Sequence, residues 1–202
     1  MIIIDCIQGS ELWLKIRTGI PCSSNFDRII TTKGESSTQR QKYLYQLAGE
    51  RLTGMPMETY TNGNMERGKE LEASARAAYE FITDNEVKQV GFCLNSEERN
   101  YGCSPDGLIG DDGGIEIKCP TLPVAVEYLD KGILPTAYFQ QVQGCMLITG
   151  RAWWDFVSYH PSLPLLIMRT VRDVKFTDEL RVQLHIFQQE LTDLTKKISR
   201  RA

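Results

Sequence analysis

The chain has 202 residues and a mass of 23.0 kDa, a length that suits one compact domain spanning residues 1–202. Its 42% hydrophobic and 24% charged residues exclude disordered and fibrous proteins, and no apolar run reaches the roughly 18–20 residues that a membrane span needs. The net charge of −3 and the pI near 5.5 argue against a protein that coats nucleic acid through a uniformly basic surface.

The first half of the chain is predicted to be mainly helical. Ser10 and either Ser23 or Ser24 are typical N-cap residues, and Gly19 and Gly54 follow the points where amphipathic stretches end. Apolar side chains recur at helical spacing between these signals. The predicted helices are ELWLKIRTG, a short stretch through Phe26 and Ile30, SSTQRQKYLYQLAGERLTG, and MERGKELEASARAAYEFIT.

The second half alternates strands with helices. Strand character is found in VKQVGFCL, around YGCSPDGLIG, and in GIEIKCP, which follows a predicted hairpin turn at 112–114. Helices are predicted at 123–130, 136–148 and 178–199, and strands in RAWWDFVSYH and LPLLIMRTVRDV. We therefore expect an α/β or α+β domain with a central mixed β-sheet flanked by helices.

The six cysteines and two histidines do not form a recognisable metal motif. There is no Cys-x-x-Cys pair, and neither His160 nor His185 has a partner at metal-binding spacing, so a zinc site is not expected. The start, MIIIDCIQGSELW, is too short in its apolar part to be a signal peptide. We therefore expect reduced, buried thiols in a cytoplasmic protein with no membrane partner.

The most informative stretch is residues 104–120, SPDGLIGDDGGIEIKCP. Strand alternation in GIEIK puts Glu116 and Lys118 on one face, and the hairpin turns Asp106 back toward them. Two carboxylates, with carbonyl and water oxygens, form a hard-oxygen site that suits Mg²⁺ or Mn²⁺. A lysine beside them can orient or deprotonate an attacking water. The alternative is an ordinary hairpin whose Glu and Lys face solvent.

The extended pattern, Pro-Asp-Gly, a glycine-rich turn and Glu-Ile-Lys-Cys-Pro, resembles the signature of the PD-(D/E)XK nuclease superfamily, which implies a restriction-endonuclease-like core. Nearly the whole chain resembles one family within it, the phage lambda exonuclease family, also called the YqaJ-type viral recombinases. The motifs that carry the resemblance are WLKIRTGIPCSSNF, GKELEASARAAYEF, CSPDGL, IEIKCP and YFQQVQGCMLIT. One departure is Pro21-Cys22, where the family often has Thr-Ala.

The resemblance implies a role for each matching residue at the carboxylate site. Asp106 and Glu116 correspond to the principal metal ligands, and the backbone carbonyl of Ile117 is a further candidate. Lys118 corresponds to the catalytic lysine. Glu72 corresponds to the acidic residue that the family supplies from the helix before the sheet, and is a candidate metal ligand as well.

The motif YFQQVQGCMLIT supplies one more catalytic candidate. Gln143, with Gln141 as its neighbour on the helix, resembles the glutamine that braces the attacking water in the family. Tyr138 is expected to pack in the core.

The opening motif predicts a pocket for the 5′-phosphate of DNA. Arg17 offers a forked cation that suits a phosphate monoester. Ser23 is expected where a helix begins, with its hydroxyl and nearby backbone N–H groups available to an anion. In the family, Arg17, Ser23 and Ser104 correspond to this pocket. Lys33 and Met65 are weaker candidates for contacts with the separating strands.

The resemblance implies a Mg²⁺-dependent 5′→3′ exonuclease, with Mn²⁺ as an alternative and two ions per active site. It would degrade one strand of linear double-stranded DNA with a 5′-phosphate to 5′-mononucleotides and leave a 3′ overhang for a single-strand annealing protein. The resemblance also implies a homotrimeric ring, encoded by a phage or prophage in a bacterial host. The alternatives are an endonuclease of the same fold, such as a restriction or junction-cleaving enzyme, and a catalytically silent DNA-binding scaffold.

Overall fold

A computed structural model describes residues 1–57, 63–96 and 100–201, apart from the side chains of residues 64 and 65. The helices are α1 (Glu11–Arg17), α2 (Arg40–Thr53), α3 (Gly63–Thr83), α4 (Leu122–Lys131), α5 (Phe139–Thr149) and α6 (Val174–Ser199). The strands are β1 (Ile2–Ile4), β2 (Val87–Lys88), β3 (Phe92–Leu94), β4 (Gly102–Cys103), β5 (Gly107–Ile109), β6 (Gly113–Lys118), β7 (Trp153–Ser158) and β8 (Leu166–Val171). Two 3₁₀ segments, Ser23–Arg28 and Thr136–Tyr138, precede α2 and α5.

The larger sheet has five strands in the order β2-β5-β6-β7-β8. Strands β6 and β7 are parallel, and the other neighbours are antiparallel. The parallel pair needs a crossover connection, which is supplied by α4, the second 3₁₀ segment and α5. A smaller antiparallel sheet has the order β1-β3-β4. The predicted mixed sheet with helices is confirmed.

Helices cover both faces of the larger sheet. Ala75 and Tyr79 of α3 pack on one face against the isoleucines of β6 and Val157 of β7. On the other face, Trp154 packs among buried residues of α2, α5 and α6. Strand β6 is therefore buried on both sides, and Glu116 is only 2% exposed. The alternative of an ordinary hairpin whose Glu faces solvent is therefore excluded.

Several predicted element boundaries are wrong. Helix α2 begins at Arg40, four residues after the start of the predicted stretch. The helix predicted from Ser23 or Ser24 is a 3₁₀ segment whose N-cap position is Cys22, with no side-chain cap. The stretch VKQVGFCL is divided between β2 and β3, which belong to different sheets. Gly91 lies at the break, where a Cβ would come 2.5 Å from the carbonyl oxygen of Cys6. The last helix begins four residues earlier than predicted, because Asp173 caps it by accepting from the backbone N–H of Phe176.

All six cysteines are free thiols, and Cys6 and Cys119 are half-buried whereas the other four are buried. Within the described ranges, no helix is both long enough and apolar enough to cross a membrane.

Candidate active site

The β5–β6 hairpin places Asp106 beside the end of β6. Gly107 pairs with Ile115, and a Cβ at Gly107 would lie 2.1 Å from Cγ1 of Val87, so only glycine fits after Asp106. Beyond this pair, Oδ2 of Asp106 accepts a hydrogen bond from the backbone N–H of Ile117 at 2.6 Å. The N–H and C=O of one strand residue point to the same edge. The carbonyl of Ile117 therefore faces the side of β6 on which Asp106 lies.

Glu116 is a buried carboxylate with one oxygen free of partners. Its Oε1 accepts from Nζ of Lys118 at 2.5 Å and from Nε2 of Gln141 at 2.7 Å. Its Oε2 is buried and has no hydrogen-bond partner among the described residues. Leaving such an atom unsatisfied costs about 1–3 kcal/mol, and more for a charged group. Oε2 is thus a position where a bound cation would replace a missing interaction.

Lys118 supplies the positive charge nearest to these carboxylates. Burial alone would lower the pKa of Lys118, but the carboxylates of Glu116 and Asp106 outweigh this effect and raise the pKa above its ordinary value. Its ammonium also lies 5.1 Å from the centroid of the Tyr138 ring. Tyr138 is half-buried and packs on Phe156 at a centroid distance of 5.1 Å. It therefore lies at the rim of the core, beside Lys118, rather than inside the core as expected.

Asp106 shares the electrostatic field of two other acids. Burial and the neighbouring charge of Glu116 raise the pKa of Asp106 well above its usual range; Lys118 opposes the rise and Glu72 adds to it. Glu72 itself accepts from Nη2 of Arg76, one turn along α3, at 2.5 Å. Asp106 and Glu72 both line a cleft of about 670 Å³, which Trp13 also lines. Asp106 of the hairpin and Glu72 of α3 therefore face one cleft.

The donor set at this cleft suits a hard divalent cation. In the observed side-chain conformations, no three His, Cys, Asp or Glu residues of the described ranges are close enough to hold a metal ion. Glu116 and Glu72 are instead paired with Lys118 and Arg76. The open oxygen of Glu116 and the raised pKa of Asp106 both mark a deficit of positive charge. Oxygen ligands of this kind fit Mg²⁺ or Mn²⁺.

The structure brings Gln141, not Gln143, to the carboxylate site. Gln143 is buried, where its Nε2 donates to the carbonyl of Val171 and its Oε1 accepts from the backbone N–H of Asp173. Residues two apart on a helix differ by about 200° in direction, so the two glutamines cannot face the same site. The prediction that Gln143 braces the reaction centre is therefore replaced by Gln141, whose amide contacts Glu116.

Arg17 and Ser104 are connected through Trp13. The guanidinium carbon of Arg17 lies 4.0 Å from the centroid of the Trp13 ring. The indole Nε1 of Trp13 donates to Oγ of Ser104 at 2.8 Å. Two of the three predicted phosphate-binding residues, Arg17 and Ser104, thus both contact Trp13. Ser104 lies two residues before Asp106. Sequence reasoning gave Trp13 no function of its own, although its spacing from Arg17 puts both side chains on one face of α1.

The other predicted DNA-binding residues lie elsewhere. Ser23 is buried, and its hydroxyl accepts from Sγ of Cys145 at 3.4 Å. A parallel bridge between Cys22 and Gly102 still brings its segment close to that of Ser104. Lys33 lines a different groove, together with residues at the N-terminus of α6. The side chain of Met65 lies outside the described residues.

Known proteins resemble the chain over most of its length. A sequence profile of the YqaJ-like viral recombinase domain matches residues 12–152, which hold all the predicted site residues. The crystal structure of an alkaline exonuclease (LHK-Exo) from Laribacter hongkongensis, and that of LHK-Exo in complex with dAMP, are each 35% identical with a TM-score of 0.87. Each match covers 95% of this chain and 97% of the other. A phage related exonuclease from Haemophilus somnus 129PT, 16% identical over 91% of this chain and 96% of its own, has the same fold with a TM-score of 0.66. No curated protein matches significantly.

Proposed function

The chain belongs to the YqaJ-like viral recombinase family and is a nuclease of the PD-(D/E)XK fold, and we propose that it is a divalent-metal-dependent 5′→3′ exonuclease. It would act on one strand of linear double-stranded DNA and release 5′-mononucleotides. The observation that carries the proposal is the buried carboxylate of Glu116, with its open oxygen, between Asp106 and Lys118.

Each residue of the carboxylate site has a distinct task in this proposal. Asp106, Glu116 and the carbonyl of Ile117 would hold Mg²⁺, or Mn²⁺ in its place, and Glu72 would complete a second ion site. The ions, when bound, offset the charge that develops on the phosphate and promote ionisation of the attacking water. Lys118, which now neutralises Glu116, would then be free to donate to the phosphate or to the attacking water.

Gln141 and the hairpin maintain the geometry of this site. The amide of Gln141 orients the Glu116 carboxylate by donating to Oε1, and the backbone N–H of Ile117 orients Asp106. Such partners of metal ligands fix the direction of the ligand's lone pairs. The carboxylates would therefore meet an ion with little reorganisation of the backbone.

The terminal phosphate of the degraded strand would bind at Arg17, with Ser104 beside it. The contact with the Trp13 ring would restrict the guanidinium, and a restricted guanidinium favours two parallel hydrogen bonds to a phosphate. Ser104 precedes Asp106 by only two residues, so the phosphate pocket and the carboxylate site are adjacent in the chain. The relative solved with dAMP held a mononucleotide.

The family description as a viral recombinase also supports a cellular setting. We propose that residues 1–202 form one exonuclease domain, that three copies close into a ring around DNA, and that the protein acts in the cytoplasm of a bacterial host of a phage or prophage. The 3′ overhang would be passed to a single-strand annealing protein. A molar mass in solution near three times 23.0 kDa is expected for the ring.

The test compares three DNA substrates in Mg²⁺. Linear duplexes with a 5′-phosphate or a 5′-hydroxyl are incubated beside a covalently closed circle, and the products are separated by size. We expect mononucleotides, formed fastest from the phosphorylated linear duplex, and no product in excess EDTA. Cutting of the circle would indicate an endonuclease, and binding without cleavage in Mg²⁺ or Mn²⁺ would indicate a scaffold.

The matched variants are Lys118→Ala and Lys131→Ala. Lys131 lies at the end of α4, where it is exposed and paired with Glu127 on the same helix. Loss of product formation with Lys118→Ala, and wild-type rates with Lys131→Ala, are expected. Equal activity of the two variants would contradict the catalytic assignment of Lys118.

A further inference from the structure

Asp155 is a buried carboxylate that does not belong to the proposed metal site. It lies on β7 opposite Ile115 of β6 and Arg169 of β8, and it is 1% exposed. Burying a charge is costly unless the charge is paired and hydrogen-bonded. A buried acid in the middle of a sheet therefore calls for an account of its partners.

Three donors satisfy Asp155 completely. Nε and Nη2 of Arg169 donate to its two oxygens, each at 2.9 Å, and the hydroxyl of Tyr79 donates to Oδ2 at 2.7 Å. Arg169 is 53% exposed, and its guanidinium carbon lies 3.7 Å from the centroid of the Trp153 ring. Tyr79 is buried and belongs to α3, whereas Asp155 and Arg169 belong to the sheet. The network therefore joins α3 to the sheet.

Tyr79 and Glu72 lie on the same face of α3. They are seven residues apart, which is close to two helical turns and a separation of about 10.5 Å along the axis. Ala75, between them, packs on the sheet. A slip of α3 by one residue would shift Glu72 by about 1.5 Å and rotate it by about 100°. The position of Tyr79 on the sheet therefore determines where Glu72 lies.

The other contact of Glu72 does not fix the helix. Its ion pair with Arg76 is formed within α3 and would persist if the whole helix moved. Glu72 nevertheless lines the same cleft as Asp106.

Directional contacts between α3 and the sheet are needed to hold this relation. Arg67 donates to the carbonyls of Cys119 and Pro120 just after β6, and Glu80 accepts from the backbone N–H of Val87 on β2. The hydrogen bond from Tyr79 to Asp155 is the one that lies in the middle of the sheet and is fully buried.

We propose that Tyr79 and Asp155 are positioning residues, whose hydrogen bond helps to hold α3 at the register on the sheet that places Glu72 in the same cleft as Asp106. The inference rests on the proposed function, since it assigns Glu72 to a metal site. It also gives a reason for the buried charge. An apolar pair of similar volume is often equally stable, but apolar packing lacks the direction that selects one register.

The experiment measures Mn²⁺ binding in the absence of DNA, by the loss of the free-ion electron paramagnetic resonance signal. Tyr79→Phe removes only the hydroxyl and keeps the buried ring. We expect roughly tenfold weaker Mn²⁺ binding, at the lower end of the loss found when partners of metal ligands are removed. Tyr43→Phe is the matched control. Tyr43, on α2, is also buried, and its hydroxyl accepts from the backbone N–H of Cys22, on the opposite side of the larger sheet from α3. Its Mn²⁺ affinity should equal that of the wild type.

A double-mutant cycle separates positioning from general destabilisation. If Tyr79 acts through Glu72, then Tyr79→Phe should change Mn²⁺ affinity less than about twofold in a Glu72→Gln background. Asp155→Asn, which removes the charge and keeps the shape, should give the same pattern. An equal loss in both backgrounds, or no loss in the wild-type background, would overturn the proposal.

A metal-free structure keeps the inference separate from the proposed function. If the wild-type protein binds no Mn²⁺, the proposed function fails, whatever Tyr79 does. Crystal structures of metal-free wild type and Tyr79→Phe then decide the inference by themselves. Displacement of the Glu72 carboxylate from Asp106 in the variant is expected, and an unmoved Glu72 would overturn the positioning role.

Discussion

Asp106→Asn should make the metal-free protein more stable while abolishing its response to metal. The substitution removes one negative charge beside Glu116 and keeps an oxygen that can accept from the backbone N–H of Ile117. The acids of the site are arranged for a cation, so without one they repel each other. The wild-type protein should therefore be strained at this position until metal binds.

The size of the effect follows from the charges at the site. Two carboxylates about 5 Å apart repel by roughly 3 kcal/mol at an effective dielectric constant of 20. The ammonium of Lys118 offsets part of this repulsion, which leaves about 1–2 kcal/mol. For a chain of 202 residues, 1 kcal/mol corresponds to about 2–4 °C. Metal-free Asp106→Asn should melt about 2–8 °C above the wild type.

The difference should depend on pH in a defined direction. Burial and Glu116 raise the pKa of Asp106 in the folded state, so the folded protein holds this proton more tightly than the unfolded chain does. The contribution of this proton to the stability of the metal-free wild type is then lost as pH rises from about 4, the ordinary carboxyl pKa, through the raised folded-state pKa. Asp106→Asn lacks this proton. The difference in melting temperature between Asp106→Asn and the wild type should be small at low pH and reach its full size above the raised pKa.

Thermal unfolding in EDTA and in excess Mg²⁺ checks both parts. At a hundred times its dissociation constant, Mg²⁺ should stabilise the wild type by about 2.7 kcal/mol, and the variant should gain little. Asp111→Asn, an exposed carboxylate of the same hairpin, is the control and should follow the wild type. A metal-free variant that melts below the wild type, or an equal Mg²⁺ shift in both, would refute the reasoning.

Two further predictions concern the parts of the site that flank the carboxylates. Gln141→Ala should lower the nuclease rate 10- to 100-fold through misorientation of Glu116. Gln143→Ala should instead cost about 1–3 kcal/mol of stability and leave the rate per folded molecule within about threefold. The reverse pattern would restore Gln143 as the residue that braces the reaction centre. Trp13→Phe keeps a ring face for Arg17 but loses the indole donor, so the ratio of kcat/KM for 5′-phosphate over 5′-hydroxyl ends should fall about fivefold. An unchanged ratio would remove Trp13 from the pocket.

The hairpin could be predicted from the sequence because its information is local. The period of two in GIEIK and the glycine-rich turn before it fix the register. Once the register is fixed, Glu116 and Lys118 must share a face, and Asp106 must lie beside the next strand. The same locality accounts for the correct prediction of β7 and β8.

The assignment of the glutamine failed because α5 has no solvent-facing side to set its phase. Its buried positions occur all around the helix, among them Gln140, Val142, Gln143 and Cys145. A helix that is buried all round gives no periodic signal from which a direction can be read. The choice between Gln141 and Gln143 was therefore open until the packing of α5 against Glu116 and the β8–α6 connection was known.

Ser23 illustrates a second limit, which is tertiary close approach. A serine followed by a helix-like pattern is a good local signal for a cap. Here the segment packs so closely on α5 that a Cβ at Gly144 would lie 2.5 Å from the ring of Phe26. The close packing turns the Ser23 hydroxyl toward Cys145. Nothing in the local sequence reports a contact with a residue 122 positions away.

The distribution of charge explains how an acidic protein can act on DNA. Three buried or half-buried acids of the described chain have an internal cation: Glu116 has Lys118, Glu72 has Arg76 and Asp155 has Arg169. Asp106 makes no ion pair among the described residues, and Oε2 of Glu116 has no partner. The carboxylate site therefore holds negative charge that the cations of the described residues do not fully offset. Two divalent ions bound there would carry four positive charges against a net charge of −3, so the cleft would attract phosphate only when it is loaded with metal.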